Sequence, residues 1–131
     1  MGTVERLEDG DLLHVYDNPA TSRFFGMEPG STAGRGARSL GASEAVIEVW
    51  RRHYDEAGRR GVPVHFEYEH EAPDGGLRVL AATVAPLGAP STPLRPTYCY
   101  VAEDVTARRA AERKLAAAVG ELERADRRKD E

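Results

Sequence analysis

Three carboxylates recur at every second position midway along the chain, Glu67, Glu69 and Glu71, with His65 just ahead of them. Carboxylates so grouped do acid–base work or hold hard cations through oxygen. In an extended segment alternate side chains share a face, so these four project together, and Val64, Phe66, Tyr68 and His70 take the opposite side. No motif places a nucleophile or second histidine beside the acids, and the expectation is a solvated strand face with no metal. The glycines between positions 30 and 41 lack the Gly-x-x-x-x-Gly-Lys pattern, so no phosphate loop is implied. Asp104 and Thr106 straddle the point where a strand pattern gives way to a helical one. A threonine hydroxyl there caps the helix, and a carboxylate favours its positive end. Tyr16, Phe24, Phe25, Trp50, Tyr54 and Phe66 are candidates to line a pocket, with plain core filling as the competing reading. Tyr16 and Tyr54 would each bring a hydroxyl to it.

The chain that must position these groups has 131 residues, 40% of them hydrophobic and 31% charged, with a net charge of −4. That is one globular domain's worth of sequence. No apolar run approaches the ~20 residues of a membrane span. Glu5, Glu8, Asp9 and Asp11 stand where a secretory signal would be apolar, so a cytoplasmic location is expected. The single cysteine, Cys99, excludes an internal disulfide and a four-cysteine zinc site, and fits a reducing compartment. Sixteen of the 18 basic residues are Arg, but they form no nucleic-acid patch. Residues 107–131 carry a net +2 and the remainder a net −6, which argues against a phosphate backbone as partner.

Residues 1–17 read as two strands about the turn Glu8-Asp9-Gly10-Asp11, the second strand being Leu12–Tyr16. Asn18-Pro19 opens a short helix, capped by Asn, that stops at Gly26. Met27–Gly41 reads as loop with at most one helical turn. Ser43–Arg60 is a helix, with Val46, Ile47, Trp50 and Tyr54 at helical spacing and Gly58 and Gly61 ending it. Strands follow at 64–71, 77–85 and 97–105. Pro73-Asp74-Gly75-Gly76 turns the first pair, and a proline-rich loop, 86–96, joins the second. From Ala107 the pattern is helical to the end. The expected architecture is α+β: a five-stranded antiparallel sheet with helices on one face and a trailing C-terminal helix.

Three segments carry a family resemblance. "LLHVYDNPATSRFFG" resembles the opening of a PAS domain, "FEYEHEAPDGGLRVLAATVAPL" resembles its hairpin, and Asp104-Val105-Thr106-Ala107-Arg108-Arg109 resembles the Asp-Ile-Thr-Glu-Arg-Lys junction closing many bacterial PAS domains. Residues 3–115 are covered. "ELERADRRKDE" is similar to the linker that precedes the phosphoacceptor helices of sensor histidine kinases. The resemblance implies a PAS-like domain at 1–106 and a coiled-coil linker helix at 107–131. It also implies a pocket between sheet and helices, homodimers, and a kinase domain downstream in the parent chain. In the family the junction Asp pairs with a basic residue one turn on, a role for Arg108 or Arg109. The junction then reads as a signalling latch, a plain helix cap, or both.

Along the terminal helix, Leu115, Val119 and Leu122 form one apolar seam; Leu115, Ala118, Leu122 and Ala125 form a second. His70-Glu71 sits on a strand rather than an exposed helix, which excludes it as phosphoacceptor. His53 falls about a turn and a half from where haem-binding relatives place their histidine and is expected to be exposed, sharing a face with Glu56 and Arg60. Cys99 lacks the Asn-Cys-Arg context of flavin-binding relatives and is expected to be a structural thiol. No cofactor is required; neither flavin nor haem is expected. The function so implied is a non-catalytic sensory and dimerisation module of a signal-transduction histidine kinase. A small-ligand or haem-binding sensor is the alternative, and a small α+β enzyme a second one.

Overall fold

The computed structural model describes residues 1–71, 75–88 and 95–129. Its elements are β1 (Gly2–Arg6), β2 (Leu12–Asp17), α1 (Pro19–Phe24), β3 (Arg35–Gly36), α2 (Glu44–Arg60), β4 (Val64–Glu71), β5 (Leu77–Pro86), β6 (Thr97–Asp104) and α3 (Thr106–Lys129). The strands form one antiparallel sheet in the order β3-β2-β1-β6-β5-β4. β1 lies inside the sheet and pairs with both β2 and β6, so the first strand ties the N-terminal hairpin to the C-terminal meander.

The sheet has six strands, not the expected five. The extra one, β3, is two residues long and pairs Leu13 with Gly36 and His14 with Arg35. It sits among glycines, where no side-chain alternation announces a strand. Gly36 is required at this point: a Cβ there would lie 2.3 Å from the Asp11 carboxylate.

The helix boundaries follow their caps. Asn18 Oδ1 accepts from the Thr21 amide at 3.1 Å and Ser43 Oγ from the Val46 amide at 3.2 Å. α2 ends at Gly61, whose φ of 68° is the left-handed turn that Gly adopts without strain. Ile47, Tyr54 and Ala57 form its buried stripe, at three- and seven-residue intervals, packed against β4 and β5. Val4, Leu12, Val64, Val84, Tyr98 and Tyr100 complete the core from the sheet side. β4 alternates as its sequence foretells, with Glu67, Glu69 and Glu71 outward. The expected Pro73-Asp74 turn and most of the 86–96 loop lie outside the described residues.

Gly58 does not end α2 but sits within it. A Cβ at this position would stand 2.5 Å from the Tyr98 hydroxyl and 3.4 Å from its ring. Glycine thus lets the helix approach β6 closely. In an open helix Gly→Ala gains up to ~1 kcal/mol. Gly58→Ala is expected instead to destabilise by about 1 kcal/mol, because Tyr98 is buried and its ring packs against Tyr54. Urea denaturation decides the sign; a stabilised variant would mean that Tyr98 swings aside freely.

Candidate functional site

A break in β2 creates the most unusual feature of the interior. β1 pairs Thr3 with Tyr16 but Val4 with His14, so Val15 is an extra residue with no partner opposite. Such a bulge reverses the alternation beyond it. Leu12 and His14 face the core, Val15 and Tyr16 both face outward, and Asp17 turns in. Strict alternation would have put Tyr16 inside and Asp17 out; the bulge exchanges them. Tyr16 is accordingly 56% exposed and no part of the pocket, contrary to expectation.

The Asp17 side chain is completely covered. One carboxylate oxygen lies 2.7 Å from His14 Nδ1, and the other accepts from the Tyr100 hydroxyl. Tyr100 Oη is also 3.2 Å from Thr21 Oγ1, which lies 3.1 Å from Asn18 Oδ1. Burial alone would raise the Asp17 pKa, but the hydrogen bonds from His14 and Tyr100 outweigh it and leave it below its ordinary value. Thr32 also helps to hold that charge, although its buried hydroxyl meets no partner at hydrogen-bond geometry. Burial, reinforced by the Asp17 bond, pushes the Tyr100 phenol far above its ordinary value, so it stays a donor. Gly2 leaves room for the cluster, since a Cβ there would meet the Tyr16 carbonyl, Asp17 and Tyr100.

His14 and Tyr100 form the inner end of a cavity of about 810 Å³ between sheet and helices. Its walls include Phe24, Phe25, Trp50 and Tyr54 from the expected set, joined by Tyr68 and His70. Phe66 is not a wall residue; it packs behind Trp50, ring centroids 5.1 Å apart. His53 is not exposed as expected. Its ring stacks on Phe66 at 3.9 Å, and its Nδ1 lies 2.6 Å from the Val49 carbonyl. At the outer end the cavity runs past Leu80 and Ala102 to Asp104. Asp104 lies opposite Leu80 and Ala102 opposite Ala82 across the β5–β6 ladder, which places them on the core face where it emerges from beneath the helices.

Asp104 is thus both cavity rim and junction residue. Its Oδ1 accepts from the Thr106 amide at 2.9 Å and the Thr106 hydroxyl at 2.5 Å. Those bonds, more than any nearby cation, lower its pKa. Thr106 Oγ1 does not cap its own helix. It accepts the Val79 amide at 2.9 Å, prolonging the β5–β6 ladder past the last strand residue and into α3. The cation nearest Asp104 is Arg78, 3.8 Å away on β5, in place of the expected Arg108 or Arg109. Arg108 points to Glu103 and Glu112, at 3.9 and 4.0 Å. Arg109 pairs with Glu112 at 2.7 Å and with Glu67 of β4. So Glu67 fastens α3 to the sheet rather than standing free in solvent, and His65 bonds Thr83 Oγ1 at 2.7 Å. Cys99 is a half-buried free thiol. Beyond this junction Leu115, Val119 and Leu122 stand exposed on α3. Among the described residues, no helix is long and apolar enough to cross a membrane.

Comparison with known proteins places this geometry. No curated protein matches the chain. Among solved structures, a domain of an HTR-like protein from Haloarcula marismortui superimposes with a TM-score of 0.60 at 21% identity, over 80% of this chain and 97% of that one. A sensory box histidine kinase/response regulator from Burkholderia thailandensis gives 0.58 at 16% identity, over 94% and 90%. The Vibrio cholerae VqmA dimer gives 0.60 at 19%, over 80% of this chain but only 47% of VqmA. These likenesses are of fold. The family model of the PAS fold matches residues 6–110, most of the chain. With the six-stranded sheet, the cavity between sheet and helices and the Asp-Val-Thr junction, that match makes this chain a member of the PAS family.

Proposed function

We propose that the chain is the sensory and dimerisation module of a signal-transduction histidine kinase, and that it relays the state of its cavity through α3. The observation that carries this is the double role of Asp104. It borders the cavity and, through Thr106, holds the start of α3 to β5. Whatever shifts the rim shifts the helix. Exposed Leu115, Val119 and Leu122 support pairing with a second copy as a coiled coil. A sensory box histidine kinase shares the fold. In this reading the chain catalyses nothing itself; phosphoryl transfer belongs to kinase domains of the parent protein.

A ligand-sensing role is favoured by the cavity, whose volume is that of a small-molecule site. VqmA, of similar fold, is known bound to DPO. The test of the relay is Asp104→Ala with Thr106→Ala in the parent kinase. Allosteric couplings are typically about 5- to 150-fold. The double variant is expected to retain basal autophosphorylation and to bring the signal-dependent change close to onefold. An unchanged response would overturn the relay.

A further inference from the structure

The inner end of the cavity has a definite hydrogen-bonding polarity. Because Asp17 is ionised and acceptor-only, the ring nitrogen facing it, His14 Nδ1, must carry the proton. At a pH where the ring is neutral, the lone pair then lies on Nε2. Among the described residues nothing partners Nε2, and His14 lines the cavity. The ring cannot turn away: Phe25 and Tyr100 meet it edge-on, at centroid distances of 5.6 and 6.3 Å. The bulge in β2 is what brings the carboxylate behind the histidine, so the acceptor is held by backbone geometry.

The charge of the lining narrows the occupant. No Lys or Arg is among the described lining residues, whereas Glu71, Glu103 and Asp104 all lie at the outer end. A carboxylate or phosphate would meet those acids, and the one cation at the lining, the Met1 α-ammonium, is already held by Asn18 Oδ1 and Thr21 Oγ1, at 3.0 and 3.1 Å. A cation would lose its water at the inner end, where the one carboxylate, Asp17, is covered and already holds two donors. Between the ends the walls are aromatic, with Trp50 at the centre of a ring cluster that includes Tyr54, Tyr68 and Tyr100. Flat apolar molecules pack well against such walls.

We propose that the cavity binds a small uncharged aromatic molecule bearing one O–H or N–H donor, which docks on His14 Nε2 with its ring among Trp50, Phe25 and Tyr54. This rests on the ligand-sensing reading above and adds the chemical class.

Phenol, anisole and benzoate are three probes of similar size: a neutral donor, a neutral ring without a donor, and an anion. Titration of the whole chain is followed by NMR on the indole N–H of Trp50, the only tryptophan, and on the His14 ring nitrogens. Phenol should shift both signals saturably and bind about tenfold more tightly than anisole, the difference one hydrogen bond to a buried acceptor makes. Benzoate should move neither. His14→Phe should bring phenol down to the level of anisole. Should that variant not fold, the phenol-to-anisole ratio on the natural chain decides alone. Equal binding of phenol and anisole, or preferred binding of benzoate, would overturn the class while leaving a ligand-binding cavity. Failure of all three probes to move Trp50 would overturn the class and the ligand-sensing reading together.

Discussion

Asp17→Ala is expected to lower the stability of the fold by about 3–5 kcal/mol, the cost of removing one partner from a fully buried hydrogen-bonded charge. The truncation removes the carboxylate that accepts from both His14 Nδ1–H and the Tyr100 hydroxyl. Asp17→Asn keeps the shape and one acceptor oxygen and should cost less. The carboxylate also sets a pH dependence. Its pKa in the folded chain lies below its ordinary value. Its contribution is therefore fully present above the unfolded-state pKa and is lost as the pH falls through the folded one. Urea denaturation of the natural chain should show stability declining from about pH 5 downward, and Asp17→Asn should flatten that decline. Identical acid limbs in the two proteins would show that Asp17 does not fold as a buried charge.

The same residue marks where the sequence stops being a guide. Periodicity reads correctly wherever each residue obeys the local rule. Val64–Glu71 alternates strictly and does so in the sheet, and Ser43 and Gly61 announce both ends of α2 because capping is a one-turn affair. A bulge obeys no such rule. It depends on how β2 registers against β1, and one unpaired residue, Val15, reassigns everything after it. Tyr16 leaves the expected pocket and Asp17 enters, so the buried His14–Asp17–Tyr100 cluster is assembled from residues that a linear reading keeps apart. The signal available in the sequence was the spacing of His14 and Asp17 three apart beside the Asn18-Pro19 cap, and it is indistinguishable from an ordinary strand end. The partner of Asp104 was hidden for a related reason. Arg78 reaches it diagonally across the β5–β6 ladder, a contact fixed by pairing register and invisible to counting along a helix. The chemistry of the junction was legible in Asp104 and Thr106; the direction of its bonds was not.

Tyr54→Ala should cost about 3–5 kcal/mol, the range for truncating a large buried ring. Tyr54 is 1% exposed and lies between Trp50 and Tyr98, with centroids 5.9 and 5.0 Å away. Its neighbours cannot close over the gap, because Trp50 is braced by Phe66, Tyr68 and Tyr100, and Tyr98 lies against Gly58. The vacated volume would therefore persist and merge with the cavity, and the lost contacts would not be recovered by collapse. Tyr16→Ala is the matched control. Alternation along β2 offers it as an equal candidate for the same pocket, but the bulge leaves it on the surface, where truncation should change stability by no more than about 0.5 kcal/mol. Equilibrium unfolding of the two variants side by side measures the bulge itself. A large loss for Tyr54 with almost none for Tyr16 requires β2 to reverse its facing at Val15; comparable losses would require the unbroken strand and would expel Asp17 from the core.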